Sequence, residues 1–272
     1  MGADSERLNE RIMQGTTALS VGSPSVTRRS RANPCFPAER VIAYDVPMRF
    51  DVLTIFPSMF DGYFAESIIK RARERGLLDI RVHDLRTWAE GKHRKVDDKP
   101  YGGGPGMVMA VGPFHSALKA LKALGPSKRT RVILMSAKGK RFTHKEALRL
   151  AKYDRIVLLC GRYEGVDERV ATHLADEELS IGDFVLTGGE LAAMTVVDAV
   201  ARHVPGVLGA KESLARESHA EEGVTEHPQY TRPEVYDVKK GSSWRVPKDL
   251  LSGDHARIEI WRKAKSKRKK TT

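Results

Sequence analysis

Short apolar runs ending near glycine, separated by segments of helical spacing, restrict the fold of this chain more than any other feature. Phe50-Asp51-Val52-Leu53-Thr54-Ile55-Phe56, Leu78 to Val82, Arg131 to Met135 and Ile156 to Cys160 read as strands. Val108 to Val111 and Phe184 to Leu186 read as shorter ones. Between them, Pro57 suits the first turn of a helix running toward Arg75-Gly76. Ala117, Leu118, Leu121 and Leu124 repeat at helical spacing after Pro113. Thr143-His144-Lys145-Glu146 has the form of a capping box opening a helix to about Lys152. Glu190 to His203 is a largely apolar helix, stopped by Pro205-Gly206. Strands alternating with helices predict an α/β fold with a mostly parallel sheet.

That pattern begins at Met48 and fails near Gly209, which divides the chain. Residues 1–47 are rich in Ser, Arg and Pro and read as a disordered extension. Asp4, Glu6, Glu10 and Glu39 argue against a transit peptide, and no apolar core suits a secretory signal. An early start codon, with Met48 as the true beginning, is the plainer explanation. Residues 48–208 form the main domain, 209–226 a polar linker, and 227–272 a small, basic, mainly helical domain. Asp254 can cap its last helix, and six of the eight residues from Lys263 to Lys270 are Lys or Arg.

The net charge of +12 and pI of about 9.7 favour a polyanionic partner, nucleic acid ahead of acidic lipid. No apolar run reaches the length of a membrane span. Cys35 and Cys160 are the only cysteines; a bridge between them is not expected, and the usage suits a reducing cytosol. A P-loop, a G-x-G-x-x-G after the first strand, and paired Cys or His at zinc spacing are all absent.

Three glycine clusters remain: Tyr101 to Met107, Cys160 to Asp167 and Ser180 to Glu190. Ligands of open α/β sheets bind at the carboxyl ends of strands, where glycine lets backbone approach them. Each cluster alone also fits a tight turn. The second delivers Arg162, Glu164 and Asp167 within six residues, either as a site or as an ion pair fixing the loop. Arg202, near a helix C-terminus, reads as a site residue or a surface cation favoured by the helix dipole. Pro228-Gln229-Tyr230-Thr231-Arg232-Pro233 fits a base-stacking element or a rigid turn.

Together these segments carry a resemblance. Phe56-Pro57 with Phe60, Val96-Asp97-Asp98, Pro100 to Met107, Cys160-Gly-Arg-Tyr-Glu-Gly-Val-Asp-Glu-Arg169, Ser180 to Leu186, Gly188-Gly-Glu-Leu191, Pro205 to Gly209, Tyr230-Thr-Arg-Pro233 and Leu251 to His255 occur in that order. From Met48 to about Lys263 the chain resembles the bacterial tRNA (guanine-N1)-methyltransferases of the knotted SPOUT class. The resemblance implies a trefoil knot at the C-terminal end of the α/β domain, a cytoplasmic homodimer, and active sites at the subunit interface. It implies methyl transfer from S-adenosylmethionine to N1 of the guanosine 3′-adjacent to the anticodon, position 37, of tRNA rather than DNA. Alternatives are a SPOUT enzyme acting on ribose 2′-hydroxyls and a non-catalytic RNA-binding homologue.

By the same resemblance, Leu134, Ser136, Gly161, Gly165, Ile181, Gly182, Asp183, Phe184, Val185, Leu186, Gly188 and Gly189 should hold the donor, largely through backbone groups. Arg202 should stabilise the guanine, and Glu164, a third catalytic candidate, stands near the donor and is the carboxylate tied to the family's magnesium dependence. The family's general base is an aspartate in a D-S-[FH] triplet; here Glu217-Ser218-His219 matches it, making Glu217 the candidate base. The resemblance makes 227–272 the tRNA-binding domain, with Tyr230 and Arg232 as candidate RNA contacts. The family's magnesium dependence makes Mg2+ a candidate requirement, with no side chains assigned as ligands. Ala137 where the family often has Pro, the Lys/Arg tail and residues 1–47 depart from the pattern.

Overall fold

The computed structural model describes residues 46–208, 218–219, 224–239 and 242–268. The expectations placed on residues 1–45, on Glu217 and on most of the 209–226 linker lie outside the described residues. The main domain runs β1 (Met48–Thr54), a 3-10 turn (Pro57–Phe60), α1 (Asp61–Phe64), α2 (Ser67–Glu74), β2 (Leu78–Asp84), a second 3-10 turn (Leu85–Trp88), β3 (Asp97–Asp98), β4 (Val108–Met109) and α3 (Val111–Ala120). It continues with β5 (Thr130–Arg141), α4 (His144–Leu150), β6 (Arg155–Cys160), α5 (Glu168–His173), β7 (Glu177–Ser180) and α6 (Glu190–Ala201). After it come β8 (Val224–Thr225), β9 (Val235–Lys239), β10 (Ser242–Arg245), α7 (Lys248–Leu251), α8 (His255–Lys265) and β11 (Lys267–Arg268). No helix among the described residues is long and apolar enough to cross a membrane.

Five strands form one sheet in the order β2-β1-β6-β5-β7, and every pairing is parallel, as the alternation of elements predicts. Such a sheet is covered on both faces, so its central strands are apolar throughout rather than alternating. Phe50, Val52, Ile133, Ile156 and Leu158 pack on one face with Ile69 and Ala72 of α2, Leu150 of α4 and Val196, Val197 and Val200 of α6. Leu53, Val132, Leu134, Val157 and Leu159 pack on the other with Phe114 and Leu118 of α3 and Val170 of α5. The result is a three-layer α/β/α sandwich. β5 is long enough to leave β6 at Met135 and to pair with β7 across a register shift between Met135 and Lys140.

Local chemistry departs from the sequence reading in four places. The expected single helix from Pro57 is three pieces, because Ala65 ends α1 and Ser67 enters the left-handed region at φ 51°. Thr143 is the N-cap of α4 but makes no side-chain capping bond. Two cations engage Glu146 in place of the cap: Lys140 Nζ at 2.7 Å and Arg149 Nε at 2.8 Å donate to its buried carboxylate. Residues 184–186 are not a strand, since no neighbour offers them a ladder; the Phe184 ring folds back over Gly182. Finally, the segment after residue 224 combines two antiparallel strand pairs, β9–β10 and β8–β11, with its two helices instead of being mainly helical.

One fully buried charged group sits inside the apolar β1. Asp51 is completely buried, and its carboxylate accepts from Arg49 Nε at 2.8 Å and Arg155 Nε at 2.7 Å, with His83 Nε2 2.7 Å away. Burial alone would push this carboxyl up. Hydrogen bonds from His83 and Arg49, with the charge of Arg155, outweigh burial and hold it well below the ordinary value of 3.8. A carboxyl depressed on folding contributes stability that is complete above its unfolded value and disappears as pH falls toward its folded one. Asp51→Asn is therefore expected to cost on the order of 3 kcal/mol at neutral pH. That deficit should stay constant above about pH 5 and shrink as pH drops below about 4. Urea unfolding of both proteins across pH 3–8 measures it; a deficit independent of pH would contradict the assignment.

Candidate active site

The middle of β5 where it parts from β6, the carboxyl end of β6, and β7 with the segment that follows it converge on a cleft of about 490 Å³. This volume suits a nucleoside-sized ligand. Each wall continues a strand: Leu134 to Lys138 from β5, Gly161 to Val166 from β6, and Leu179 to Ile181 with Phe184 to Gly189 after β7. Ten of the twelve residues expected to hold a ligand line this cleft, which places the three segments in one site. The exceptions are Gly182 and Asp183. Gly182 is held against its own strand end, where Ser180 Oγ donates to its carbonyl at 2.8 Å and accepts from its amide at 3.3 Å. Asp183 points outward and pairs with Arg141 at 3.4 Å.

Two glycines are required by close approach. The amide of Gly189 donates to the carbonyl of Gly161 at 2.9 Å, and Arg162 and Gly188 form an antiparallel bridge, binding the last segment onto the end of β6. A Cβ at Gly189 would lie 2.9 Å from the Cα of Cys160 and 3.1 Å from the amide nitrogen of Gly161, where only backbone could give way. Gly106 adopts φ +77°, and a Cβ there would lie 2.5 Å from Cγ of Glu164, so the Glu164 side chain lies over the first glycine loop.

Most amides of the second cluster hold the loop rather than face the cleft. Arg162 N–H donates to Sδ of Met109, Glu164 N–H to the carbonyl of Met107 and Gly165 N–H to that of Arg162. Glu178 Oε2 is buried along this wall and has no hydrogen-bond partner among the described residues. Lys138 closes part of the rim through Glu168 at 2.5 Å.

Beneath the cleft is a polar core that the sequence did not announce. Glu190, the first residue of α6, is completely buried. Its Oε1 accepts from Thr54 Oγ1 at 2.8 Å and its Oε2 from Arg162 Nε at 3.0 Å. Thr54 Oγ1 in turn accepts from the amide of Phe56 at 2.9 Å, and the Arg162 guanidinium lies 4.8 Å from the centre of the Phe56 ring. One carboxylate therefore ties β1, β6 and α6 together. Burial and the nearby Glu190 charge push the Cys160 thiol well above its ordinary range, with partial relief from Arg162, so this free cysteine is inert as a nucleophile.

The remaining candidates are elsewhere. Arg202 is the C-cap of α6, and the cleft begins at the helix's other end. Twelve residues of α-helix separate those ends by about 18 Å, more than an arginine side chain can span. Tyr230 packs edge-on against Trp261, with centroids 6.2 Å apart, in the C-terminal segment. Arg232 is exposed there and precedes a cis proline. No cluster of three or more His, Cys, Asp or Glu side chains suited to a metal occurs among the described residues.

A family model described as tRNA (Guanine-1)-methyltransferase TrmD matches residues 48–272. A Geobacter sulfurreducens protein named tRNA (guanine-N(1)-)-methyltransferase is 53% identical over 219 residues, 80% of this chain and 86% of its own length. A Myxococcus xanthus protein of the same name is 56% identical over 221 residues, 81% of this chain and 86% of its own. One from Thermomicrobium roseum is 54% identical over 217 residues, covering 79% and 78%.

Proposed function

This chain belongs to the tRNA (guanine-1)-methyltransferase family, and from that membership we infer that it transfers a methyl group to N1 of a guanosine in tRNA. The observation that carries this reading is the cleft assembled from the middle of β5, the end of β6 and the 181–189 segment, holding ten residues expected around the donor. The names of the relatives specify a guanine nitrogen, so neither ribose methylation nor a non-catalytic binder gains support.

The cleft fits S-adenosylmethionine as donor. Leu134, Ile181 and Leu186 give an apolar wall for a purine, and the unfilled acceptor on Glu178 requires a polar partner. When bound, S-adenosylmethionine supplies a methyl group activated by its sulfonium. The protein must then remove the N1 proton of guanine, stabilise negative charge gathering on the neighbouring carbonyl oxygen, and exclude water. We assign the first task to Glu217 and the second to Arg202, with Glu164 bordering the reacting atoms. The described acidic side chains do not fit a metal cage, so no step is drawn through magnesium.

The position of Arg202 at the end of α6 away from the cleft of its own chain supports a homodimer. One subunit's donor cleft would meet the Arg202 and Glu217 of its partner. The return of residues 181–189 across the end of β6 supports a trefoil knot there. Positive charge supports a polyanionic substrate, and we place the reaction in the cytoplasm on the guanosine at position 37. Incubation of the protein with labelled S-adenosylmethionine and a tRNA transcript, followed by mapping of the modified nucleotide, tests this reading. One methyl on N1 of guanosine 37 is expected; a ribose methyl, or label at another base, would overturn it.

A further inference from the structure

The β9–β10 hairpin carries an aromatic pair that the proposed methyl-transfer chemistry does not use. Tyr236 and Trp244 face each other across the two strands in register, with ring centroids 5.9 Å apart and planes inclined by 26°. Both remain open to solvent, at 57% and 66% exposure, and Val238 extends the same exposed face. Alternation along β9 puts Tyr236 and Val238 on one side of the ribbon and Asp237 on the other. The only acidic side chain on these two strands is therefore turned away from the aromatic face. The same alternation puts Lys239 and Arg245, at the strand ends, on the side of Asp237.

An exposed aromatic face of this kind needs an occupant, and the surrounding charge identifies its chemistry. Residues 227–272 hold thirteen Lys or Arg against five Asp or Glu, so +8 of the chain's net +12 lies in this segment. That charge repels a second copy of the same segment and attracts a polyanion. A polyanion that also presents flat rings is nucleic acid with unstacked bases. Aromatic faces on a basic surface hold such bases by stacking, with little demand on base identity.

We propose that Tyr236 and Trp244 form a stacking platform for an unpaired base of the tRNA substrate, outside the methyl-transfer cleft. The inference rests on the tRNA-modifying function argued above. The platform grips the RNA during docking and takes no part in chemistry. It should therefore govern affinity for tRNA, leaving affinity for the methyl donor untouched.

The full-length protein, an unmodified tRNA transcript and S-adenosylmethionine suffice for the test. Trp244→Ala is expected to raise the tRNA Kd about tenfold, with the donor Kd unchanged. Trp244→Phe should stay within about twofold of the parent protein, since a flat ring remains. Tyr236→Leu, which keeps the apolar bulk but removes the ring, should weaken tRNA binding several-fold. The salt dependence of binding should keep its slope, because no phosphate contact is lost. A tRNA Kd within twofold of the parent in both Trp244→Ala and Tyr236→Leu would overturn the platform. So would a change of oligomeric state in sedimentation accompanying normal tRNA affinity, which would make the face a contact between copies. Failure of the unmutated protein to methylate tRNA would instead overturn the function itself, so the two failures are separable.

Discussion

Glu190→Ala is expected to lower the unfolding free energy by about 3–5 kcal/mol, the range for removing one partner from a buried ion pair. The substitution leaves Arg162 Nε and Thr54 Oγ1 without their acceptor and opens a gap under the cleft. Arg162 is only 18% exposed and cannot recover full hydration without leaving the Phe56 ring. Glu190→Gln preserves shape and an acceptor for Thr54, so its cost should be clearly smaller. Denaturant titration provides the comparison: the midpoint should fall while the slope stays constant. A loss below about 1 kcal/mol for Glu190→Ala would show that the network contributes little. Donor affinity should fall with stability, because Gly188 and Gly189 directly precede this carboxylate and wall the cleft.

Neither Glu190 nor Asp51 was legible as a structural centre in the sequence, and the reason is the same for both. A single carboxylate inside or beside an apolar run carries no spacing that distinguishes a buried network from a surface charge. The apolar runs themselves were legible because a parallel sheet buries both faces, so β1, β5 and β6 read as continuous hydrophobic segments. β7 was missed. Its sequence, Glu177-Glu178-Leu179-Ser180, looks like solvated surface, yet Glu177 accepts from Arg131 Nε at 2.7 Å and Arg149 Nη2 at 2.8 Å at the sheet edge. The error at residues 184–186 runs the other way, since apolar residues there line a cleft without joining the sheet. Glycine was the most informative signal for the site because close backbone approach tolerates nothing else, as Gly189 against Cys160 shows.

Glu217→Gln is expected to slow methyl transfer by roughly 10²-fold or more while leaving the Kd for S-adenosylmethionine nearly unchanged. The N1 nitrogen of guanine bears a proton at neutral pH and is a poor nucleophile until that proton is removed. A carboxylate held beside it lowers the barrier; the isosteric amide keeps size and hydrogen-bonding reach but accepts no proton. Glu217→Asp separates chemistry from position. It restores a base with a shorter arm and should recover much of the rate, as the resemblance of the 217–219 triplet to D-S-[FH] implies. A single-turnover rate in Glu217→Gln equal to that of the unmutated enzyme would remove Glu217 from the mechanism. The base would then have to be sought among the acidic groups around the cleft itself, with Glu164 the first to test because it already borders that space.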